Sequence, residues 1–180
     1  MTEYKALLRK YTGENAELLQ LLTAHSEAVA NKALEILRKH PELDLNPDEV
    51  MEAAMLHDIG VVACDAPSIH CHGSESYIRH GVKGAEILRQ EGLEKYARVA
   101  ERHTGAGITA QYIREHGLPL PARDFLPETK LEKLICYADK FFSKSRRPDD
   151  AKPVEKIRSQ MAQFGSETLA RFDALHSLFA

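Results

Sequence analysis

The feature that most constrains this chain is a helical pattern whose apolar stripes are interrupted by histidine or aspartate. Apolar residues recur at i, i+3, i+4 and i+7 over most of the sequence, and no segment alternates convincingly in the way a half-buried strand does. The spacing predicts helices over about 2–10, 15–39, 47–58, 76–91, 93–103, 109–116 and 128–144, with one or two more from 153 to the end. Punctuation supports these limits. Asn46 and Pro47 make an N-cap followed by a helix-starting proline, and Asp48 and Glu49 suit the positive end of the helix. Gly60, Gly92, Gly105 and Gly117 stand where helices should stop. Two longer loops, "GVVACDAPSIHCHGSES" and "GLPLPARDFLPET", do not look like interdomain linkers, and there is no internal repeat. The expectation is an all-α fold.

A polar group on a core-facing stripe must be paired or must serve a function. The second helix carries Leu18, Leu22, His25, Val29 and Ile36 on one face, which points His25 inward. The next has Met51, Ala54, Met55 and Asp58, with His57 adjacent. His80 is in line with Gly84, Ile87 and Leu88; His103 with Leu93, Tyr96 and Ala100; Asp139 with Leu131, Ile135 and Phe142. Singly, each could be hydrogen-bonded packing or a cap. Together, four histidines and two aspartates aimed from five helices at one interior are hard to explain that way. Two buried carboxylates are costly without a compensating cation. One or two divalent metals would compensate them, and a mixed His/Asp set suits Fe, Mn or Zn better than Ca. A carboxylate bridge from Asp58 could hold two metals. His40 and His116, in last helical turns, and His176, expected on the surface of the C-terminal helix, have milder readings.

Composition narrows the setting. A chain of 180 residues is long enough for one domain with a real core and short for two. A formal net charge of −3 gives no reason to expect a nucleic-acid surface. No apolar run approaches the ~20 residues needed to span a bilayer, and the N-terminus lacks an apolar secretion segment. Three cysteines without framework spacing point to free thiols and a cytoplasmic location.

The word "LHDIG" at 56–60, with His25 upstream and "YADK" at 137–140 downstream, resembles the HD-domain superfamily, an all-α family named for an adjacent metal-binding His-Asp pair. Its H…HD…D pattern falls on His25, His57, Asp58 and Asp139. "HGVKGAEIL" at 80–88 and "RHTGAG" at 102–107 are similar to the segments that add two histidines in its two-metal members, here His80 and His103. The wording is closest to small, poorly characterised bacterial and archaeal HD phosphohydrolase-like proteins, and "LEKLICYADK" is similar to a segment of symmetrical diadenosine tetraphosphate hydrolases. The resemblance implies an HD domain over 1–150, with its core at about 20–145, and a C-terminal helical extension over 151–180 that packs on the same domain. A single His103 after Arg102, "GAGIT" in place of a GYP loop, and Val61 in place of lysine depart from the HD-GYP cyclic dinucleotide phosphodiesterases, which argues against that substrate.

The resemblance implies a metal-dependent phosphohydrolase. Its metals would be held by His25, His57, Asp58, His80, His103 and Asp139, with His57 and Asp58 catalytic. The metals, one or two of Fe, Mn, Zn, Ni or Mg with Fe or Mn favoured, would activate a water and polarise a phosphoryl oxygen. Lys83, Lys140, Lys144 and Arg146, with Arg147 a weaker candidate, are the cations near enough in sequence to meet substrate phosphate. The implied partner is a small phosphorylated molecule such as a nucleotide, with no nucleic acid and no membrane, acting as a monomer or homodimer. The rival enzyme reading is a diiron oxygenase like the inositol-oxygenase and organophosphonate-oxidising members; the non-enzyme reading is a metal-stabilised nucleotide sensor.

The stretch "SIHCHGSESYIRHG" divides under this reading. His80 lies on a helix stripe. His70, Cys71 and His72 have no fourth partner at finger-like spacing, since Cys64 and Cys136 stand in other contexts. They are expected to form a mobile lip over the metals, from which His70 or His72 could reach a phosphate or donate a proton.

Overall fold

The structure, a computed structural model, describes residues 3–144 and 150–180. The fold is all-α. Its helices are α1 (Tyr4–Thr12), α2 (Ala16–Lys39), α3 (Pro47–Leu56), α4 (His80–Gln90), α5 (Glu94–Arg102), α6 (Ala110–Glu115), α7 (Lys130–Asp139), α8 (Val154–Ala162) and α9 (Ser166–Phe179). Side chains set several starts. The Asn15 and Asn46 side chains accept from the backbone N–H of Leu18 and Asp48, and Thr129 and Glu132 form a reciprocal capping box at α7.

Two helices are shorter than the periodicity predicts, and both differences matter to the site. The helix expected from 76 begins at His80, after a 3₁₀ turn over Tyr77–Arg79. The helix expected to reach 144 ends at Asp139. There the backbone tightens, with Lys140, Phe141 and Phe142 N–H groups donating to Tyr137, Ala138 and Asp139 carbonyls, and the following lysines leave the helix axis. The long loop holds a hairpin, β1 (Asp65–Ala66) with β2 (Cys71–His72), too short to show as alternation. Further bonds from Asp65 N–H to Glu75 and from Gly73 N–H to Cys64 build this loop into ordered structure. Among the described residues, no helix is long and apolar enough to cross a membrane.

The core lies between α2, α3, α4, α5 and α7, filled by Val29, Ala33, Val50, Leu56, Leu88, Leu134 and their neighbours. Small residues decide how close the helices come. After Asp58 the chain enters a 3₁₀ turn (Ile59–Ala63) that lies directly on α4. A Cβ at Gly60 would stand 2.0 Å from the His80 carbonyl oxygen and 2.1 Å from the Gly84 amide nitrogen. One at Gly81 would stand 2.7 Å from the Ala100 carbonyl of α5. The glycine that closes the LHDIG word is therefore what lets His57 and Asp58 approach His80. On the outer side of α5, the buried Glu101 carboxylate accepts from Arg89 (3.0 Å) and Arg123 (2.9 Å), tying α4 and the 117–129 loop together. Arg102 holds the same loop through the Leu126 carbonyl at 2.9 Å.

The C-terminal helices pack back on α7. Phe172 and Phe179 lie near the Tyr137 ring, and the Tyr137 hydroxyl hydrogen-bonds to Nδ1 of His176 at 2.8 Å. His176 is thus half-buried between two helices, not on the open surface that its sequence position suggested.

Cys64, Cys71 and Cys136 are unpaired and buried. Burial pushes the Cys64 and Cys136 thiols up to about 11, and raises Cys71 as well. The reactive thiolate forms only as pH rises toward such values, so at pH 8 it amounts to about one molecule in a thousand at Cys64 and Cys136. Native protein should therefore react with iodoacetamide at least about tenfold more slowly than the chain in guanidinium. Equal rates would place a thiol at the surface.

Candidate metal centre

The structure brings together all six residues singled out on the helix stripes. They form two overlapping donor groups, His25, His57, Asp58 and Asp139 in one and Asp58, His80 and His103 in the other. Within each group one donor atom per residue lies within 4.8 Å of the rest, and Asp58 belongs to both. All six are buried.

Only His25 sits inside a helix. His57, Asp58 and His103 follow the last turns of α3 and α5, His80 opens α4 and Asp139 closes α7. This placement does chemical work. The last carbonyls of a helix have no intrahelical partner. His57 Nδ1 lies 2.6 Å from the Ala54 carbonyl and His103 Nδ1 2.7 Å from that of Ala100; His80 Nδ1 is 2.7 Å from the Tyr77 carbonyl in the preceding 3₁₀ turn. A carbonyl oxygen only accepts, so each Nδ1 carries the proton and each Nε2 is left to face the centre. The Tyr77 ring stacks on His80 at 4.8 Å, holding its plane.

Whether such a centre suits a divalent metal can be tested on its own atoms. The carboxylates alone do not require one. Lys144 Nζ lies 2.6 Å from Asp58 Oδ2 and Lys140 Nζ 2.7 Å from Asp139 Oδ2, so lysines already balance both charges. The imidazoles decide. His80 and His103 present Nε2 to Nε2 at 3.0 Å, with both Nδ1 protons committed to backbone. Two lone pairs so placed need a cation or a proton between them or beside them. Burial and the neighbouring His103 lower the His80 pKa to about 3, and burial lowers that of His103, so both rings favour the neutral form. His57 Nε2 and both Asp58 oxygens are buried without a hydrogen bond of good geometry. A divalent cation answers all of these, and the donor set fits one.

Charge at the centre follows the same logic. Burial favours neutral His57, but the Asp58 and Asp139 carboxylates outweigh it and raise its pKa to about 9. Burial alone would push the Asp58 carboxyl up; His57 and Lys144 more than reverse this, and hold it well below the ordinary range. Asp139 is held low by Lys140 and the two histidines beside it in the same way.

The centre opens into a cavity of about 690 Å³ that reaches His25 and Asp139 at its floor. Lys140 and Lys144 line it, as the sequence suggested for cations near a phosphate. Lys83 does not. It points outward to Glu75 (3.2 Å) and Glu86 (2.9 Å), which absorb its charge. His72 is exposed on the outer side of β2 and lines neither this cavity nor the smaller opening beside it. His70 turns toward Glu17, its Nδ1 at 3.3 Å, and lies at that smaller opening. From the long loop, the cavity is instead lined by Ala66, Ser68 and Ile69. Arg146 and Arg147 lie outside the described residues. Lys152 and Arg171, which the sequence did not single out, line the cavity from beyond the last candidate ligand. No local pattern marks them: Lys152 stands between the exposed Ala151 and Pro153, and Arg171 on the partly exposed flank of α9.

Fold and centre together define an all-α protein built around a buried His/Asp cluster suited to a divalent metal. The chain belongs to the HD domain family, whose model matches residues 22–143. The family lies in a superfamily of metal-dependent, hydrolase-like proteins. An uncharacterised protein of Methanocaldococcus jannaschii is 36% identical over 159 residues, covering 88% of this chain and 84% of its own. Two proteins named tRNA (cytidine(56)-2'-O)-methyltransferase are also similar. The one from Picrophilus torridus is 34% identical over 134 residues, and the one from Thermoplasma volcanium 30% identical over 151. The matched parts cover 74% and 83% of this chain but only 34% and 40% of those two proteins. No solved structure gives a significant match.

Proposed function

We propose that the chain is a metal-dependent phosphohydrolase for a small phosphate ester or anhydride, such as a nucleotide. One observation carries the reading: two donor groups share Asp58, and the group of His25 and Asp139 reaches a cavity that Lys140 and Lys144 also line. His25, His57, Asp58 and Asp139 would hold one metal, and Asp58, His80 and His103 a second. Bound there, divalent metal supplies Lewis acidity toward a phosphoryl oxygen and lowers the pKa of water.

The chain's own groups do the rest. The backbone carbonyls behind His57, His80 and His103 fix each imidazole in one tautomer and one direction, which keeps the donors pre-positioned. Lys144 and Lys140 stand at the Asp58 and Asp139 carboxylates. Were a metal to neutralise those carboxylates, both ammonium groups would be free to meet phosphate oxygens in the cavity that they line. Burial excludes bulk water and strengthens these charge interactions. Two relatives are named for a reaction on a nucleotide within tRNA, which supports a nucleotide among the candidate substrates.

The test is phosphate release from aryl phosphates and nucleotides by protein loaded in turn with Mn, Fe, Zn, Ni and Mg, with oxygen consumption followed in parallel. Phosphate release that disappears in Asp58→Asn is the expected result. Oxygen uptake by iron-loaded protein without phosphate release would replace hydrolysis with oxygenase chemistry. Ligand binding with neither reaction would leave a sensor.

A further inference from the structure

The family match ends at residue 143, yet part of the cavity lining comes from later residues: Lys152, then Met161 on α8, Phe164 after it and Arg171 on α9. These residues have two properties that a mere structural cover would not need. Phe164 is 50% exposed and Tyr77 38%, and they are two of the three large apolar side chains left exposed among the described residues. Both face this cavity. The cations differ in how far they are already satisfied. Lys140 and Lys144 are paired with Asp139 and Asp58, and Arg171 donates to the Ala106 and Gly107 carbonyls. Lys152 is half-buried, and its ammonium makes no hydrogen bond or ion pair among the described residues. Among the described residues Asp139 is the only acid lining the cavity, and Lys140 covers it.

We propose that this C-terminal segment selects the substrate: Lys152 receives a negative charge of the phosphate compound, and Phe164 with Met161 receives an apolar, aromatic organic group. The inference rests on the phosphohydrolase reading for the word substrate, but its chemistry is that of a site for aromatic phosphates. A cavity of about 690 Å³ is far larger than a phosphoryl group needs, and it falls within the ~300–1,000 Å³ typical of small-molecule sites. The lining combines cations and two of the candidate metal ligands with exposed aromatic surface, Tyr77 stacked on His80 and Phe164 on the C-terminal segment. A ligand with an anionic head and a flat apolar body matches both kinds of surface.

The experiment uses the full chain loaded with Mn and two phosphonates that cannot be hydrolysed, 1-naphthylphosphonate and methylphosphonate, with binding measured by calorimetry. The naphthyl compound should bind at least about tenfold more tightly, as expected for burying a ring against Phe164 and Met161. Phe164→Ala should remove most of that preference while changing methylphosphonate binding by less than about twofold. Lys152→Met should weaken both compounds by about fivefold, and Lys152→Arg should restore them. Thermal melts of the variants confirm that the fold is retained, and both side chains are exposed enough for this. Equal binding of the two phosphonates, no binding of either, or binding indifferent to both variants overturns the proposal. Phosphate release from 1-naphthyl phosphate, assayed on the same preparations, separates the two readings. Release unaffected by Phe164→Ala removes the selecting wall and leaves the hydrolase. Phe164-dependent binding without release removes the hydrolase and leaves the aromatic phosphate site.

Discussion

Asp58→Asn should strip the protein of metal and of phosphate release together, while leaving the fold in place. Asp58 is the one residue common to both donor groups, so its loss weakens both, whereas loss of any other ligand spares one. Asparagine keeps the size and removes the charge. Bound metal after gel filtration should fall by well over about tenfold, beyond the 10–100-fold seen even for outer partners of metal ligands. Phosphate release should fall by about three orders of magnitude, or about 4 kcal/mol of transition-state stabilisation. The change also removes the charge that raises His57, so the His57 pKa should move down from its raised value. Metal analysis and a melting curve check the result. Full metal occupancy in Asp58→Asn would mean that the two groups do not share this carboxylate.

Gly60→Ala should be, with Gly73→Ala, the most damaging glycine-to-alanine change in the chain. The new Cβ would meet backbone at 2.0 Å and 2.1 Å, and backbone cannot rotate away as a side chain can. The 3₁₀ turn after Asp58 and the start of α4 must part, and His80 moves away from Asp58 with them. The cost should be about 3 kcal/mol or more, at the upper end of overpacking effects. For a chain of this length that corresponds to a melting temperature lower by roughly 6–12 °C. Metal held by the His80 and His103 group should be lost before metal held by His25 and Asp139. Gly92→Ala is the comparison. Gly92 has φ +74 but open space around it, so only the backbone strain of about 1 kcal/mol applies. Equal destabilisation by the two substitutions would show that close approach at Gly60 is not what sets this packing.

Much of the centre was legible because helical periodicity exposes a polar residue on an apolar face. His25 is the clear case, a histidine in the stripe of a long helix with Leu22 and Val29 on either side. His57, Asp58, His80, His103 and Asp139 were found by the same argument, although they stand at helix ends, where the stripe is about to stop. The pattern could name these residues but could not show why ends suit them. The free carbonyls of a last turn orient His57 and His103, and that depends on where each helix terminates. Two buried carboxylates called for a compensating cation, and divalent metal was the cation expected; Lys144 and Lys140 fold onto Asp58 and Asp139, and the case for metal passes to the facing imidazoles.

Periodicity and capping were enough to specify an all-α fold and the residues that converge, because both are local and extend over one or two helical turns. The sequence also carried the HDIG word, whose glycine proves to be a contact between backbones. Tertiary structure alone decided which cations reach the centre. Lys83 was drawn off by Glu75 and Glu86, and His72 was turned outward by the hairpin. Lys144 was brought to Asp58, and Lys152 and Phe164 were brought to the lining of the cavity. A lysine looks the same in every exposed stretch of sequence. Where its charge goes is settled only when distant helix ends meet and leave one carboxylate, or one empty space, within its reach.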